Sequence, residues 1–485
     1  MKTRDILIIF ALTAGTLLVH GYHFGIEDAA IYVPGIKNAL HPALYNFDRE
    51  LFLSQTRPML FCEIIAFVAR ILPLSLEWVV FLSHFFSVAL MIFACLRISR
   101  FVFDEASPQW CGVVLIAALL TIPVAGTRLY ILDQHLHPRT LATAFLLLAT
   151  SDLLADTPKL ALIWLFLAAS MHPQMAALGL VYLLFLGMGR PVTGLPAGSH
   201  SSLFFPISSF FEPPAAAWKE AMATRTHHLL QNWMWYEWLG VFAPFVLLRF
   251  FQTVARNNGN KNLEFLCRRV LSCGIFFLVF SGVICFFPPL ERFATLQPMR
   301  SLQLLYIFLL LSGGGLIAQY LLRSDLVRWL IFFIPICTGM FFVQRVVFPK
   351  TCHLEFPFSA PANRWVEAFE WVQANTPADA FFALDPYYML RDGEDNHGFR
   401  AYAERSALAD RVKDSGVAAL FPHIARVWQE QVHDLDGWDR FGPADFRKLM
   451  EKYGVSWIIL GNNHPAVGAF ECPYRNELVS VCRVR

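Results

Sequence analysis

Residues 301–322 read SLQLLYIFLLLSGGGLIAQYLL, an uncharged and mostly apolar run that decides the class of fold. A helix rises about 1.5 Å per residue, so about 20 apolar residues cross the roughly 30 Å hydrocarbon core of a bilayer. A second long apolar run, residues 326–348, follows directly. Two such runs in succession predict helices that span a membrane.

The composition of the whole chain agrees with this prediction. Its 485 residues are 56% hydrophobic, 15% aromatic and only 16% charged, which is too apolar for an ordinary soluble enzyme. The net charge of +2 gives no reason to expect a nucleic-acid partner. Ten runs approach the spanning length: residues 5–22, 76–97, 110–127, 139–155, 159–171, 173–189, 237–251, 269–287, 301–322 and 326–348.

Positive charges predict the orientation of these runs. Lys2 and Arg4 precede the first run, so the positive-inside rule places the N-terminus in the cytoplasm and the loop 22–75 outside. The charge pattern around the last run requires one crossing more than ten. Residues 58–72 and 196–212 are the candidates, and we favour 196–212 because it leaves the aromatic cluster after it at the outer interface.

From about residue 350 the pattern changes to charged residues interleaved with isolated apolar ones. We therefore predict a membrane domain, 1–349, and a small α/β domain, 350–485. The predicted helices and strands of the α/β domain are 363–375, 380–384, 443–453, 455–460 and 478–484. Cys472 and Cys482 flank a terminal turn; they either pair in an oxidising compartment or remain free thiols.

Two adjacent carboxylates, Glu27 and Asp28, open the first outer loop. Asp28 and Tyr32 are four residues apart, so they share one face of a helix. A carboxylate beside an aromatic ring can orient a sugar hydroxyl and accept its proton, which is the work of a general base. The alternative is that both acids cap the helix that follows and stay solvated.

The layout resembles the GT-C superfamily of membrane glycosyltransferases. The resemblance rests on the acidic first outer loop, on Tyr22-His-Phe-Gly-Ile-Glu-Asp28, on Arg57-Pro58, on His172-Pro173 between two apolar runs, and on the C-terminal α/β domain. It implies a polytopic helical fold of about 10–11 spans and a donor sugar carried on a polyprenyl phosphate. It also places the essential acid of the superfamily on Asp28, with Glu27 as the neighbouring candidate.

The second outer loop adds a further candidate acid. Asp133 stands where several superfamily members carry a second acidic residue, which makes it a candidate catalytic group. Asp133, His135 and His137 are expected either to join Asp28 around a divalent cation, such as manganese, magnesium or zinc, or to be hydrogen-bonded structural groups.

A lipid phosphate needs cationic partners, and arginine can bind it through two parallel hydrogen bonds. The candidates in or beside outer loops are Arg57, Arg139, Arg292 and Arg300. Each is alternatively an interfacial anchor whose stem lies among apolar groups.

Further residues are candidates for substrate contact. Trp233, Trp235 and Tyr236 offer stacking surfaces, and His172 marks a sharp hairpin at the outer face. Arg405 follows a strand-like run, where acceptor-binding loops commonly lie, and is expected either to bind an anionic acceptor or to pair with Glu404 or another carboxylate.

The sequence thus predicts an inverting glycosyltransferase of the bacterial inner membrane with a periplasmic C-terminal domain. It would move a sugar from polyprenyl phosphate to a glycan, lipid or protein acceptor. The alternative is a transporter or a non-enzymatic assembly protein that binds lipid or glycan. A transporter is expected to carry ionisable groups at mid-membrane and two related halves, whereas these runs are nearly free of charge.

Overall fold

A bundle of apolar helices is followed by a small mixed α/β domain, which confirms the predicted fold class. The computed structural model describes residues 2–188 and 215–484. The favoured extra crossing at 196–212 therefore lies outside the described residues. The helices before residue 350 are α1 Thr3–His20, α2 Ala29–Leu40, α3 Glu50–Thr56, α4 Phe61–Ile71, α5 Leu76–Val102, α6 Ala106–Ala118, α7 Pro138–Leu154, α8 Pro158–Met171, α9 Pro173–Gly187, α10 Ala216–Ala223, α11 Trp235–Asn257, α12 Lys261–Phe286, α13 Leu302–Ile317 and α14 Leu326–Val347.

Six helices in the described part of the chain are long and apolar enough to cross a membrane. They are α1, α5, α11, α12, α14 and the helical stretch Pro288–Leu322, which includes α13. The pair α3 and α4 passes the same test only as one broken or re-entrant span, because a bend of 94° separates the two helices. The helices α6, α8 and α9 are apolar but shorter.

A helix lies at each of the ten predicted runs, but the run 110–127 was predicted too long. Helix α6 ends at Ala118, and the chain then forms a short antiparallel hairpin of β1 Pro123–Val124 and β2 Leu129–Tyr130. Proline has no backbone N–H to donate to the preceding turn, and glycine has a low helix propensity. Pro123 and Gly126 therefore oppose continuation of the helix. This hairpin leads into the second outer loop and therefore helps to position the site.

Glycine allows α6 and α13 to pack closely. A Cβ atom on Gly112 of α6 would stand 2.6 Å from the carbonyl oxygen of Leu311, and one on Gly314 of α13 would stand 2.7 Å from the Cα of Gly112. Small residues let helix backbones approach each other in a membrane, where dispersion contacts replace the hydrophobic effect between helices. The glycines within 301–322 thus serve the packing of the bundle.

The C-terminal domain is built on a five-stranded sheet among the described residues, with strand order β4-β3-β5-β7-β6. Strand β3 is parallel to β4 and β5, whereas β7 is antiparallel to β5 and β6. A disulfide between Cys472 and Cys482 joins β6 to β7, which resolves the alternative left open by the sequence. The elements are α15 Arg364–Asn375, β3 Phe381–Ala383, α16 Phe399–Ala403, β4 Ser406–Ala407, α17 Asp414–Leu420, α18 Ala425–Asp434, α19 Pro443–Tyr453, β5 Trp457–Gly461, β6 Glu471–Arg475 and β7 Val479–Arg483.

The C-terminal domain is hydrogen-bonded to the segment that follows α1. The N–H of Tyr22 donates to the carbonyl of His353 at 3.0 Å, and the N–H of Gly398 donates to the carbonyl of Gly25 at 2.9 Å. These bonds hold the beginning of the first outer loop against the domain. The acidic pair therefore lies where the two parts of the molecule meet.

Candidate active site

The backbone at Glu27 and Asp28 is fixed from outside the helix that follows. Glu27 adopts a left-handed φ of 51°, and its N–H donates to the carbonyl of Asn396 at 3.0 Å. Asp28 immediately precedes α2, but among the described residues no side-chain hydrogen bond from Asp28 caps that helix. The helix-capping alternative therefore does not account for Asp28.

The side chain of Asp28 is bound by two partners from distant parts of the chain. Its Oδ2 lies 3.3 Å from Nε2 of His137, and its Oδ1 accepts from Nζ of Lys413 at 3.2 Å. The same Nζ donates to Oε2 of Glu27 at 2.5 Å. About a third of the Asp28 side chain, 34%, stays exposed, so a substrate can still reach the carboxylate.

The hydrogen bonds of His137 assign its tautomer. Its Nδ1 accepts from the N–H of Arg139 at 2.9 Å, which leaves Nε2 as the protonated nitrogen that donates to Asp28. Burial, aided by the nearby Arg139 charge, lowers the pKa of His137 to about 4. The imidazole is therefore neutral at pH 7, and it orients the Asp28 carboxylate through its Nε2–H hydrogen bond.

Charge keeps Asp28 ionised. Burial alone would raise its pKa, but the Lys413 ammonium and the His137 hydrogen bond outweigh burial and hold the pKa well below its ordinary value. A carboxylate in this state accepts hydrogen bonds from hydroxyl groups at any physiological pH.

Asp133, the second predicted acid, forms a buried ion pair. Nη2 of Arg139 lies 2.8 and 2.7 Å from the two oxygens of Asp133, and both side chains are almost fully buried. The Arg139 charge outweighs burial and lowers the pKa of Asp133. This pair fixes the second outer loop to the first turn of α7. Because His137 lies between Asp133 and Arg139 in the sequence, the ion pair also holds the backbone of His137 in place.

Two cavities in the described part of the chain meet at Asp28. Cavity A has a volume of about 320 Å³, and cavity B has a volume of about 530 Å³. The wall of cavity A includes Ile31, Tyr32, Gln55, Pro58, Met59, His172, Gln174, Leu296, Leu420 and Phe421. The wall of cavity B includes Glu27, Arg128, Tyr130, Asp133, Gln134, His135, Tyr387, Asn396 and Arg411. Both cavities are lined by Asp28, Arg139, Arg225, His227, Arg300 and Lys413.

Arginine is concentrated in this shared wall. Nε of Arg225 and Nε of Arg300 are buried and have no hydrogen-bond partner within the described ranges. Other donors of Arg225 bind Ser415 at 2.7 Å, and Nη1 of Arg300 lies 3.4 Å from Oε1 of Gln174. The junction thus holds cationic donors that can still bind an anion.

Several other predicted residues also line the cavities. Tyr32 accepts a hydrogen bond from Gln55 at 3.0 Å, and Nδ1 of His172 accepts from the N–H of Met175 at the start of α9. Both nitrogens of buried His135 have no partner among the residues described. His172 therefore lines cavity A and His135 lines cavity B.

Other predicted contact residues lie elsewhere, and the described walls of the two cavities do not include them. They are Arg57, Arg292, Trp233, Trp235, Tyr236 and Arg405.

Three of these residues have evident structural positions instead. Arg57 is exposed and binds Glu50 at 2.7 Å, whereas Trp233 is buried against Gly126. Arg405 is buried and donates to the carbonyl of Gln373 at 2.8 Å and to that of Thr376 at 2.7 Å, so it is not free to bind an acceptor. Local sequence did not distinguish such positions from a binding site.

The predicted divalent-cation site does not fit the side chains present. Among the described residues, no group of three or more His, Cys, Asp or Glu side chains is arranged to hold a metal ion. The carboxylate of Asp28 is engaged by Lys413, and that of Asp133 by Arg139. The proposed set of Asp28, Asp133, His135 and His137 therefore offers no common coordination point.

Sequence reasoning missed Lys413 and Arg225. Lys413 is separated from Asp28 by 385 residues, and nothing in its local sequence marks it. Arg225 follows the short helix α10 rather than a predicted span. Only the folded arrangement brings the two cations to the acid.

Comparisons with known proteins give limited similarity. No protein-family model matches the chain, and no curated protein matches its sequence. This chain is similar in structure to three solved structures of the oligosaccharyltransferase of Archaeoglobus fulgidus. Its complex with Zn and sulfate matches at a TM-score of 0.45 and 13% identity, over 94% of this chain and 67% of that one. Its apo form matches at a TM-score of 0.47 and 11% identity, over 95% of this chain and 70% of that one.

The third structure is the archaeal oligosaccharyltransferase AglB from Archaeoglobus fulgidus in complex with an inhibitory peptide and a dolichol-phosphate. It matches at a TM-score of 0.42 and 11% identity, over 94% of this chain and 69% of that one. At TM-scores below 0.5, these similarities establish neither the family nor the function of this chain.

Proposed function

We propose that this chain is a GT-C-type membrane glycosyltransferase that moves a sugar from a polyprenyl phosphate to an acceptor hydroxyl. The observation that carries the proposal is the position of Asp28. It is an ionised, partly exposed carboxylate on the wall between two cavities, with arginine donors around it. A transferase needs this arrangement, because its two substrates must meet at one proton acceptor.

Cavity A is assigned to the donor. Its wall includes the bend between α3 and α4, and α4 exposes one apolar stripe formed by Leu60, Ile64, Phe67 and Ile71. An exposed apolar stripe on a membrane protein is suited to contact with lipid tails. A prenyl chain approaching along α4 would thus bring its phosphate into cavity A.

Arg225 and Arg300 are assigned to the leaving phosphate. Arg139 is neutralised by Asp133 and Lys413 by the acidic pair, whereas Arg225 and Arg300 have no carboxylate partner among the described residues. Guanidinium groups bind phosphate through parallel charge-assisted hydrogen bonds. They would stabilise the negative charge that grows on the leaving group.

Cavity B is assigned to the acceptor. Its wall carries polar side chains from the second outer loop and from the C-terminal domain, including Tyr130, His135 and Asn396. The unpartnered nitrogens of His135 can bind an acceptor hydroxyl. This polar wall suits a glycan or peptide better than a lipid tail.

The reaction is a single displacement with inversion at the anomeric carbon. The acceptor oxygen attacks the anomeric carbon while the bond from that carbon to the phosphate oxygen breaks. The proton of the acceptor hydroxyl passes to the carboxylate of Asp28. Because the pKa of Asp28 is low, the proton transfers late, after the attacking oxygen has become acidic. The polyprenyl phosphate leaves as an anion bound by the arginines and needs no general acid.

We further propose that the domain boundary lies near residue 350 and that the C-terminal domain is periplasmic in a bacterial inner membrane. The Cys472–Cys482 disulfide supports an oxidising compartment for this domain. The positive charges at the N-terminus support the same orientation.

The test is transfer of labelled sugar from a panel of synthetic polyprenyl-phosphate sugars, by the full chain in lipid nanodiscs. Asp28→Asn is expected to lower kcat by about 10²–10⁴-fold, the usual contribution of a general base. Asp152→Asn is the matched control, because Asp152 forms a buried ion pair with Arg97 at 2.6 Å and is outside the described walls of both cavities. Wild-type transfer by Asp28→Asn would remove the assigned base.

A further inference from the structure

Lys413 is held rigidly at the edge of the C-terminal domain. The carboxylate of Asp410 accepts hydrogen bonds from the N–H groups of Val412 and Lys413, at 2.7 and 2.5 Å. Arg225 donates to the carbonyl of Val412 and so ties the same segment to the membrane-domain side. The Lys413 side chain is only 12% exposed. Its direction is therefore set by the fold rather than by chance contact at a surface.

The ammonium of Lys413 bridges the acidic pair. Its Nζ lies 2.5 Å from Oε2 of Glu27 and 3.2 Å from Oδ1 of Asp28. These two acids are adjacent in sequence, and without a cation between them their charges would repel. Lys413 occupies the position in which a cation shared by both carboxylates would stand.

A divalent cation cannot share this position with the ammonium. Manganese or magnesium binds carboxylate oxygens at about 2.0–2.2 Å, which would place it next to Nζ with like charges in contact. Asp133 is also engaged, because Arg139 contacts both of its oxygens. Each of the acids near the site thus has a cationic partner from the protein itself, and Glu27 and Asp28 share theirs.

We propose that the Lys413 ammonium is the resident cation of this site and that the chain works without a divalent metal ion. The inference rests on the proposed function. Lys413 acts through Asp28, so it is a positioning residue that keeps the acceptor-binding carboxylate oriented and ionised. It also makes the site incomplete without the C-terminal domain.

The first test measures metal binding and does not depend on activity. Purified full-length chain in nanodiscs is titrated with Mn²⁺ and followed by electron paramagnetic resonance. Wild type is expected to bind no Mn²⁺ stoichiometrically, whereas Lys413→Ala exposes Glu27 and Asp28 and gains a site. The matched control is Lys37→Ala, which removes another ion pair between the same two parts, Lys37 to Glu404 at 2.7 Å, and is expected to gain none.

The second test measures transfer with and without a chelator. Wild type is expected to keep its rate in EDTA, and Lys413→Ala is expected to lose about 10- to 100-fold in kcat and to recover in part with Mn²⁺. Lys413→Arg, which keeps the charge, is expected to retain more activity than Lys413→Ala. Comparing the thermal unfolding of Lys413→Ala with that of Lys37→Ala separates these effects on transfer from general destabilisation.

The inference is overturned if wild type binds one Mn²⁺ per chain, or if its transfer stops in EDTA and returns with the metal. Both measurements on wild type remain decisive even if Lys413→Ala does not fold. If wild type transfers no sugar under any condition, the proposed function fails. Mn²⁺ binding still tests the position of Lys413 in that case.

Discussion

At the scale of single residues, the partners of the two acids support the proposal that Asp28 rather than Asp133 is the base. Asp28 and Asp133 are both acids of outer loops, and a local cation holds the pKa of each below its ordinary value. Asp133 is buried and contacted through both oxygens by Arg139, whereas Asp28 keeps a third of its surface exposed on the wall of two cavities. Asp28 is therefore the more accessible of these two acids.

Arg300 should matter for donor binding, and Arg57 should not. Arg300→Gln removes a charge-assisted hydrogen bond to the phosphate, worth about 1.5–3 kcal/mol, so kcat/KM for the donor should fall roughly 10- to 100-fold. Arg57→Gln, which loses only an exposed ion pair with Glu50, is the control and should stay near wild type. Steady-state kinetics with varied donor would measure both. Equal effects would contradict the assignment of the phosphate site.

The sequence located much of this neighbourhood, including Arg139 and Arg300, but not Lys413 or Arg225. Asp28 and His137 lie in loops that flank apolar runs and Arg139 lies in the first turn of α7, so their proximity follows from the topology of the spans. Lys413 comes from another domain, and its approach depends on how that domain docks. No local pattern encodes such docking.

At the scale of elements, glycine contacts fix the bundle. Helices α6 and α13 touch through Gly112 and Gly314, where no Cβ fits at the observed separation. Helix ends were harder to predict from the sequence, as α6 shows. Apolarity continues past Ala118 to residue 127, yet the chain leaves the helix to build the hairpin before the second outer loop.

Gly112→Ala should destabilise the bundle by about 1–3 kcal/mol, because the added methyl forces α6 away from α13. Gly339→Ala in α14 is the matched control, since nothing among the described residues lies within 4 Å of the position its Cβ would take. That change should be neutral or slightly stabilising, because alanine favours helix more than glycine does. Thermal unfolding in detergent would compare them. An equal loss in both variants would contradict the close packing.

At the scale of the whole molecule, the site depends on the contact between the helical bundle and the C-terminal domain. Buried His397 takes part in this contact, with Nε2 at 3.4 Å from Glu355, whose carboxylate also accepts from the N–H of Phe24 at 3.1 Å. Burial alone would lower the pKa of His397, but the ion pair with Glu355 outweighs burial and raises the pKa to about 9.

Stability should therefore fall as pH rises from about 6.5 to about 9. A histidine whose pKa is raised on folding contributes stability that is complete below its unfolded pKa and is lost as pH passes its folded pKa. Thermal unfolding across this range would measure the slope, and His397→Gln should flatten it. His423→Gln, at an exposed position of the same domain, should keep the slope of wild type. An unchanged slope in His397→Gln would refute the role of this ion pair.

The fold class was predictable because apolar runs and their breaks are local properties of the sequence. The strands near residues 381, 457 and 479 were also found, since buried strands are short apolar runs. Strand β4 has only two residues, and in β6 exposed positions alternate with half-buried ones and none is buried, so neither strand produced a signal in the sequence. The family resemblance and the roles of the site residues stay proposals.

The proposed roles of Asp28, Arg225 and Arg300 are tested most directly by a structure of the full chain with a non-hydrolysable phosphonate analogue of a polyprenyl-phosphate sugar. We expect the phosphonate to lie between Arg225 and Arg300, the prenyl chain to leave through cavity A, and the anomeric carbon to face Asp28. An analogue bound elsewhere, with Asp28 out of reach of the sugar, would contradict these roles.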